Sequence, residues 1–117
     1  MVGHVDKLRE MYPEQLEYCA VETPEGWDEQ VAAMVMTMAT ACPTIRFTQI
    51  KEKFGSLRVY YSVKSLADYD VAEELEEHFT KACSVTCQVC GKVDDEDVKT
   101  TVQQGWWSTE CSEHRRK

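Results

Sequence analysis

Apolar residues recur at helical spacing over Val5, Leu8, Met11/Tyr12 and Leu16, with Pro13 interrupting the pattern. Proline fits the first turn of a helix and not its interior. The pattern therefore predicts either one kinked helix over Val5–Ala20 or a short helix followed by a second starting near Pro13. A clearer stripe follows in Val31, Met34, Val35, Met38 and Cys42, ended by Pro43. Thr23 or Asp28 is the expected N-cap, and Glu25, Asp28 and Glu29 lie near the positive end of the helix. Met34, Met36 and Met38 could form an adaptable binding face; the stripe favours a helix packed in the core.

The period then changes to two. Ile45 and Phe47 alternate with Arg46 and Thr48, and Leu57, Val59, Tyr61 and Val63 alternate with Arg58, Tyr60 and Ser62. Lys53-Phe54-Gly55-Ser56 supplies a turn, with Gly55 able to take positive φ. Thr44–Val63 is thus predicted as a hairpin with one face on the core and Arg46, Arg58 and Tyr60 facing outward. A third helix is expected from Ser65 or Asp68 to about Ala82. Its apolar side is read as Val71, Leu75, Phe79 and Ala82, and its solvated side as Glu73, Glu74, Glu76 and Glu77. His78 borders the apolar stripe and reads as structural.

The last third carries the chemistry. Cys87-Gln88-Val89-Cys90-Gly91 and Cys111-Ser112-Glu113-His114 form two ligand pairs, each with two residues between its members. Zinc takes four soft or borderline ligands in a tetrahedron, and this spacing lets one tight turn supply two of them. The expected ligands are Cys87, Cys90, Cys111 and His114, holding one structural Zn2+. Gly91 fits a knuckle whose amides point at the thiolates. Val98–Val102 and Trp106–Ser108 would form a hairpin around Gln103-Gln104-Gly105, with Cys111 and His114 opening a short terminal helix. That order is a treble clef, or a zinc-ribbon-like finger. Cys83 is the rival ligand, placed on the last turn of the third helix; Cys19 and Cys42 are read as helical residues behaving as small apolar side chains.

The fold expected is α+β: a small antiparallel sheet packed by helices over residues 1–84, integrated with a zinc-finger subdomain over 85–117 in one compact domain. The chain is acidic, with 21 Asp and Glu against 13 Lys and Arg and a formal net charge of −8. That excludes a surface basic all over, as general nucleic-acid binders have. The balance reverses between Arg46 and Lys64, where Arg46, Lys51, Lys53, Arg58 and Lys64 face Glu52 alone, and again at Arg115–Lys117. Charges in Met1–Glu10 replace the apolar stretch of a signal peptide, and no apolar run reaches the ~20 residues of a membrane span. The reading is cytoplasmic, with cysteines serving as metal ligands and buried thiols before disulfides.

Four protein ligands leave zinc no open position for a catalytic water. There is no Gly-rich phosphate loop and no Ser-His-Asp grouping. Treble-clef nucleases use a histidine beside the finger, which keeps His78 as a weak catalytic candidate. The expectation is a protein without catalytic residues.

Gly26-Trp27, the run Gln49-Ile50-Lys51-Glu52-Lys53-Phe54-Gly55-Ser56-Leu57-Arg58-Val59-Tyr60-Tyr61, Thr86–Gly91, Gly105-Trp106-Trp107, Cys111 and His114 together resemble a family of small zinc-finger proteins of tailed phages, prophages and proteobacteria. The resemblance spans Gly26 to His114. It implies a phage or mobile-element accessory protein in the host cytoplasm, binding and inhibiting or modulating a host protein complex, including defence systems such as CRISPR. Glu73, Glu74 and Glu77 are candidate contacts for such a partner. The alternative is a nucleic-acid-binding protein using Arg46, Lys51, Lys53, Arg58 and Tyr60 with the Arg115–Lys117 tail. Met1–Glu25 and Asp94-Asp95-Glu96-Asp97 fall outside the family pattern and are where individual specificity is expected.

Overall fold

A computed structural model of the chain describes residues 4–115; Met1, Val2, Gly3, Arg116 and Lys117 lie outside the described residues. Helix α1 covers His4–Met11 and strand β1 Ala20–Glu22. A single 3-10 turn at Glu25–Trp27 leads into α2, Asp28–Ala41. Strands β2 (Arg46–Lys53) and β3 (Ser56–Ser62) precede the long helix α3 (Leu66–Ser84). The finger contributes β4 (Lys99–Gln103) and β5 (Trp106–Glu110). The protein is α+β with two small sheets, as its periodicities predict.

Pro13 decides the first segment. No helix resumes after it; residues 13–18 form turns tied by Leu16 N–H to Tyr12 O and Cys19 N–H to Leu16 O. Arg9 reaches over these turns and donates to Leu16 O at 2.9 Å and Cys19 O at 2.7 Å. Cys19 therefore lies in a connection and not on a helix. Leu8 and Leu16 are buried as the stripe requires, whereas Met11 is exposed. The side chain of Val5 lies outside the described residues.

β1 is an addition to the expected hairpin. It pairs in parallel with β2, Val21 opposite Ile50, so the larger sheet has the order β1-β2-β3 and α2 forms the crossover. A bulge between Phe47 and Gln49 inserts Thr48 as an extra residue. It puts Phe47 and Ile50, three apart, on the same buried face, which strict alternation would forbid. Phe54 and Gly55 both have positive φ, 56° and 78°, and so do Gln104 and Gly105, 53° and 84°. Each pair is the two-residue turn whose twist matches its flanking strands.

α2 buries Val31, Met34, Val35, Met38 and Ala39, so its methionines Met34 and Met38 belong to the core. Its N-cap is Trp27, with no side-chain cap bond, in place of Thr23 or Asp28. α3 is capped by Ser65, whose Oγ accepts the Asp68 N–H at 3.1 Å. Its buried face is Ala72, Phe79 and Cys83, with Leu75 and Glu76 half-buried, and Val71 is exposed. The expected stripe is thus rotated toward Ala72 and Cys83, and the half-buried Glu76 carboxyl meets the Tyr61 hydroxyl of β3. Phe47, Ile50, Leu57 and Val59 join the helices in one apolar cluster. No described helix is long and apolar enough to cross a membrane.

Candidate metal centre

The ligand atoms of Cys87, Cys90, Cys111 and His114 all lie within 4.8 Å of one another. Zinc bonds of about 2.3 Å to sulfur and about 2.0–2.1 Å to nitrogen put tetrahedral ligand atoms about 3.8 Å apart for two sulfurs and about 3.6 Å for sulfur and nitrogen. The Cys90–Cys111 sulfurs are 3.8 Å apart and Cys87 Sγ is 3.7 Å from His114 Nδ1. Cys111 Sγ to His114 Nδ1 is tighter, at 3.2 Å. The four residues form a group able to hold a metal ion, with donors and spacing that suit zinc, His114 presenting Nδ1.

The backbone explains the convergence. Cys87 N–H donates to Lys92 O and Gly91 N–H to Cys87 O, closing the knuckle, with Gly91 at φ 81°. Burial raises the Cys87 thiol, but bonds from the amides of Cys90, Cys111 and Val89 outweigh it and bring it down to about 6. Such amides favour the thiolate, the form that binds metal. After β5, His114 and Arg115 both return their N–H to Cys111 O, giving a single turn among the described residues in place of the expected terminal helix.

Asp97 ties the two ligand pairs together, a role its sequence setting did not suggest. Its carboxylate accepts from Lys92 Nζ at 2.8 Å and from Ser112 N–H at 3.2 Å. These bonds hold the carboxyl well below the usual range. Arg115 donates to the Asp97 carbonyl at 2.7 Å, while Asp94 Oδ1 accepts the N–H groups of Glu96 and Asp97. The acidic run Asp94–Asp97 is therefore a structural turn beside the centre. The pattern of a charge cluster hides this, because only the fold brings Lys92 and Ser112 to one carboxylate.

Cys83 is buried in the apolar cluster, outside the metal group, and burial pushes its thiol up to about 12. Cys42 and Cys19 are buried likewise, Cys19 raised to about 11, and no disulfide joins the described cysteines. His78 is exposed, edge-on to the Phe79 ring at 5.0 Å, and is not a member of the metal group.

The finger is clasped to the sheet at two places. At the knuckle, Gly26 N–H donates to Gln88 O at 2.8 Å, and the buried Trp27 indole donates to Thr86 O at 2.8 Å. Gln88 in turn bonds Thr109 on β5, by its own N–H and by its side chain. At the hairpin tip, buried Thr109 Oγ1 donates to Gly55 O at 2.7 Å, and the Phe54 ring meets the edge of Trp107 with centroids 6.5 Å apart. Gly26, Trp27, Phe54 and Gly55 thus meet the finger's Thr86, Gln88, Trp107 and Thr109 in this clasp.

Of the candidate contacts, Lys51, Lys53, Arg58 and Tyr60 share the outer face of β2–β3, Lys51 directly opposite Arg58 and Tyr60 opposite Gln49. Arg46 stands at the far end of that face, 3.6 Å from Glu14 and bonded to the Thr44 and Ile45 carbonyls, so it is separate from the group. Glu73, Glu74 and Glu77 are exposed on α3, whereas Glu76 is drawn toward the sheet. No protein-family model, curated protein or solved structure matches the chain.

Proposed function

We propose that this protein is a non-enzymatic binding module whose surface is assembled by one zinc ion. Cys87, Cys90, Cys111 and His114 would hold the ion, and four protein donors leave it no exchangeable position, so its role is to fold the finger. The observation that carries the reading is the double clasp: the finger seats on Gly26-Trp27 and on the tip of the β2–β3 hairpin. A metal there fixes the exposed Phe54 and Trp107 beside the outward row of Lys51, Lys53, Arg58 and Tyr60. That composite face is the binding surface.

A second reading is favoured by α3. Leu66 and Tyr69 are exposed, 84% and 47%, on the helix that carries Glu73, Glu74 and Glu77. Exposed apolar residues rimmed by carboxylates suit the basic cleft of a larger protein. Resemblance to phage and prophage proteins supports a host complex, a defence complex included, as that partner. A photo-crosslinking residue placed at Tyr60 or at Glu74 separates the two in the native cell. Zinc-dependent adducts at position 60 and none at 74 support the composite face; the converse pattern transfers the function to α3.

A further inference from the structure

We infer that the composite face binds single-stranded nucleic acid, its phosphates on Lys51, Lys53 and Arg58 and its bases stacked on Tyr60, Phe54 and Trp107. The inference rests on the reading that zinc assembles this face.

The cations are the first ground. Lys51 and Arg58 are paired directly across β2 and β3, an arrangement that destabilises a sheet. In a chain with 21 acidic residues, no ion pair joins Lys51, Lys53 or Arg58 to a carboxylate among the described residues. The ion pairs described belong instead to Arg46 with Glu14 and Lys92 with Asp97. Glu22 stands beside Lys51 across β1 and β2 without an ion pair to it, so the three clustered cations remain open to an external anion.

The rings are the second. Lys51 Nζ lies 5.8 Å from the Tyr60 ring centroid and Lys53 Nζ 5.4 Å from that of Phe54. Tyr60, Phe54 and Trp107 are 48%, 57% and 45% exposed, and the edge contact of Phe54 with Trp107 holds both rings in place. Cations interleaved with exposed rings on a sheet match the chemistry of a polyanion whose bases are unpaired, since stacking needs a free base face. A duplex buries those faces, and an acidic peptide has none to offer.

Fluorescence anisotropy with oligothymidine of about 15 nucleotides tests this, a mixed-sequence duplex and poly-glutamate serving as rival ligands. Three phosphate contacts predict a slope of log K against log salt of about −2. Tyr60→Ala should weaken single-strand binding at least fivefold, and Lys51→Glu with Arg58→Glu at least tenfold, with zinc content and Tm unchanged. Duplex or poly-glutamate bound as tightly as oligothymidine, or indifference to Tyr60→Ala, overturns the inference. So does the absence of salt-dependent single-strand binding by zinc-loaded protein. Binding that survives complete metal removal overturns instead the underlying reading, because the face would then exist without the finger.

Discussion

Alanine at position 26 would place a Cβ 2.1 Å from Cys87 O, 2.5 Å from the Gln88 carbonyl carbon and 2.6 Å from Gln88 O. All three atoms are backbone of the metal knuckle, so no side-chain rotation relieves the clash. The turn at Glu25–Trp27 must move away from the finger, which breaks the Gly26–Gln88 bond and pulls the Trp27 indole from Thr86 O. Leaving a buried polar group unpaired costs about 1–3 kcal/mol, and repacking an overfilled site about 1–3 more. Gly26→Ala should therefore lose about 2–6 kcal/mol, a fall in Tm of roughly 8–25 °C. Gly105 provides the control. Unlike Gly26 it has a left-handed backbone, φ 84°, but an added Cβ meets nothing within 4 Å, so Gly105→Ala should lose only about 1 kcal/mol. Urea denaturation of both variants with a chelator-competition assay for metal measures the difference. Equal losses in the two, or a Gly26→Ala loss below about 0.5 kcal/mol, would refute the close-approach argument.

Protein purified without chelator should contain one zinc per chain by elemental analysis; Cys111→Ser should lose it and Cys83→Ser should keep it. Phe47→Ala and Leu57→Ala, both in the buried cluster, should each lose about 2–5 kcal/mol in urea titrations. Asp97→Ala should speed metal release to a chelator while leaving the Phe47–Tyr61 contact intact, as aromatic proton shifts will show. Burial raises the Glu76 carboxyl above its ordinary value, Glu73 and Glu77 push the same way, and the Tyr61 hydroxyl bond opposes them. The folded state then binds the proton more readily, so stability falls as pH rises through the carboxylate range. Glu76→Gln should accordingly raise Tm at pH 7, with the gain vanishing below about pH 4, where both states are protonated.

Much of this was legible because its causes are local. The α2 stripe, the turns at Gly55 and Gly105 and the two ligand pairs are properties of short stretches, and each lies where its pattern puts it. What escaped depends on residues far apart in the chain. β1 is three residues long with no apolar alternation, and only its pairing to β2 makes it a strand. The buried face of α3 depends on α2 and β3, the elements packed against it, and Asp97 takes its role from Lys92 and Ser112. Gly26 and Trp27 have no local pattern that gives their role away; its physical reason is a knuckle some sixty residues later in the chain.

The Trp27–Thr86 bond would give a metal held at Cys87, Cys90, Cys111 and His114 an influence beyond the finger. Ligands Cys87 to His114 enclose a short loop, yet the clasp ties that loop to the start of α2 and to the tip of the large sheet. A ligand that binds only the folded form adds RT ln(1 + [L]/Kd) to stability, about 1.4 kcal/mol for each tenfold rise above Kd. Through the clasp that increment reaches the helical core. With zinc as the ligand, the fraction of molecules holding their core closed would follow the free zinc of the surroundings. Two copies of this chain in compartments of different zinc activity would then differ in lifetime against proteolysis while sharing every residue.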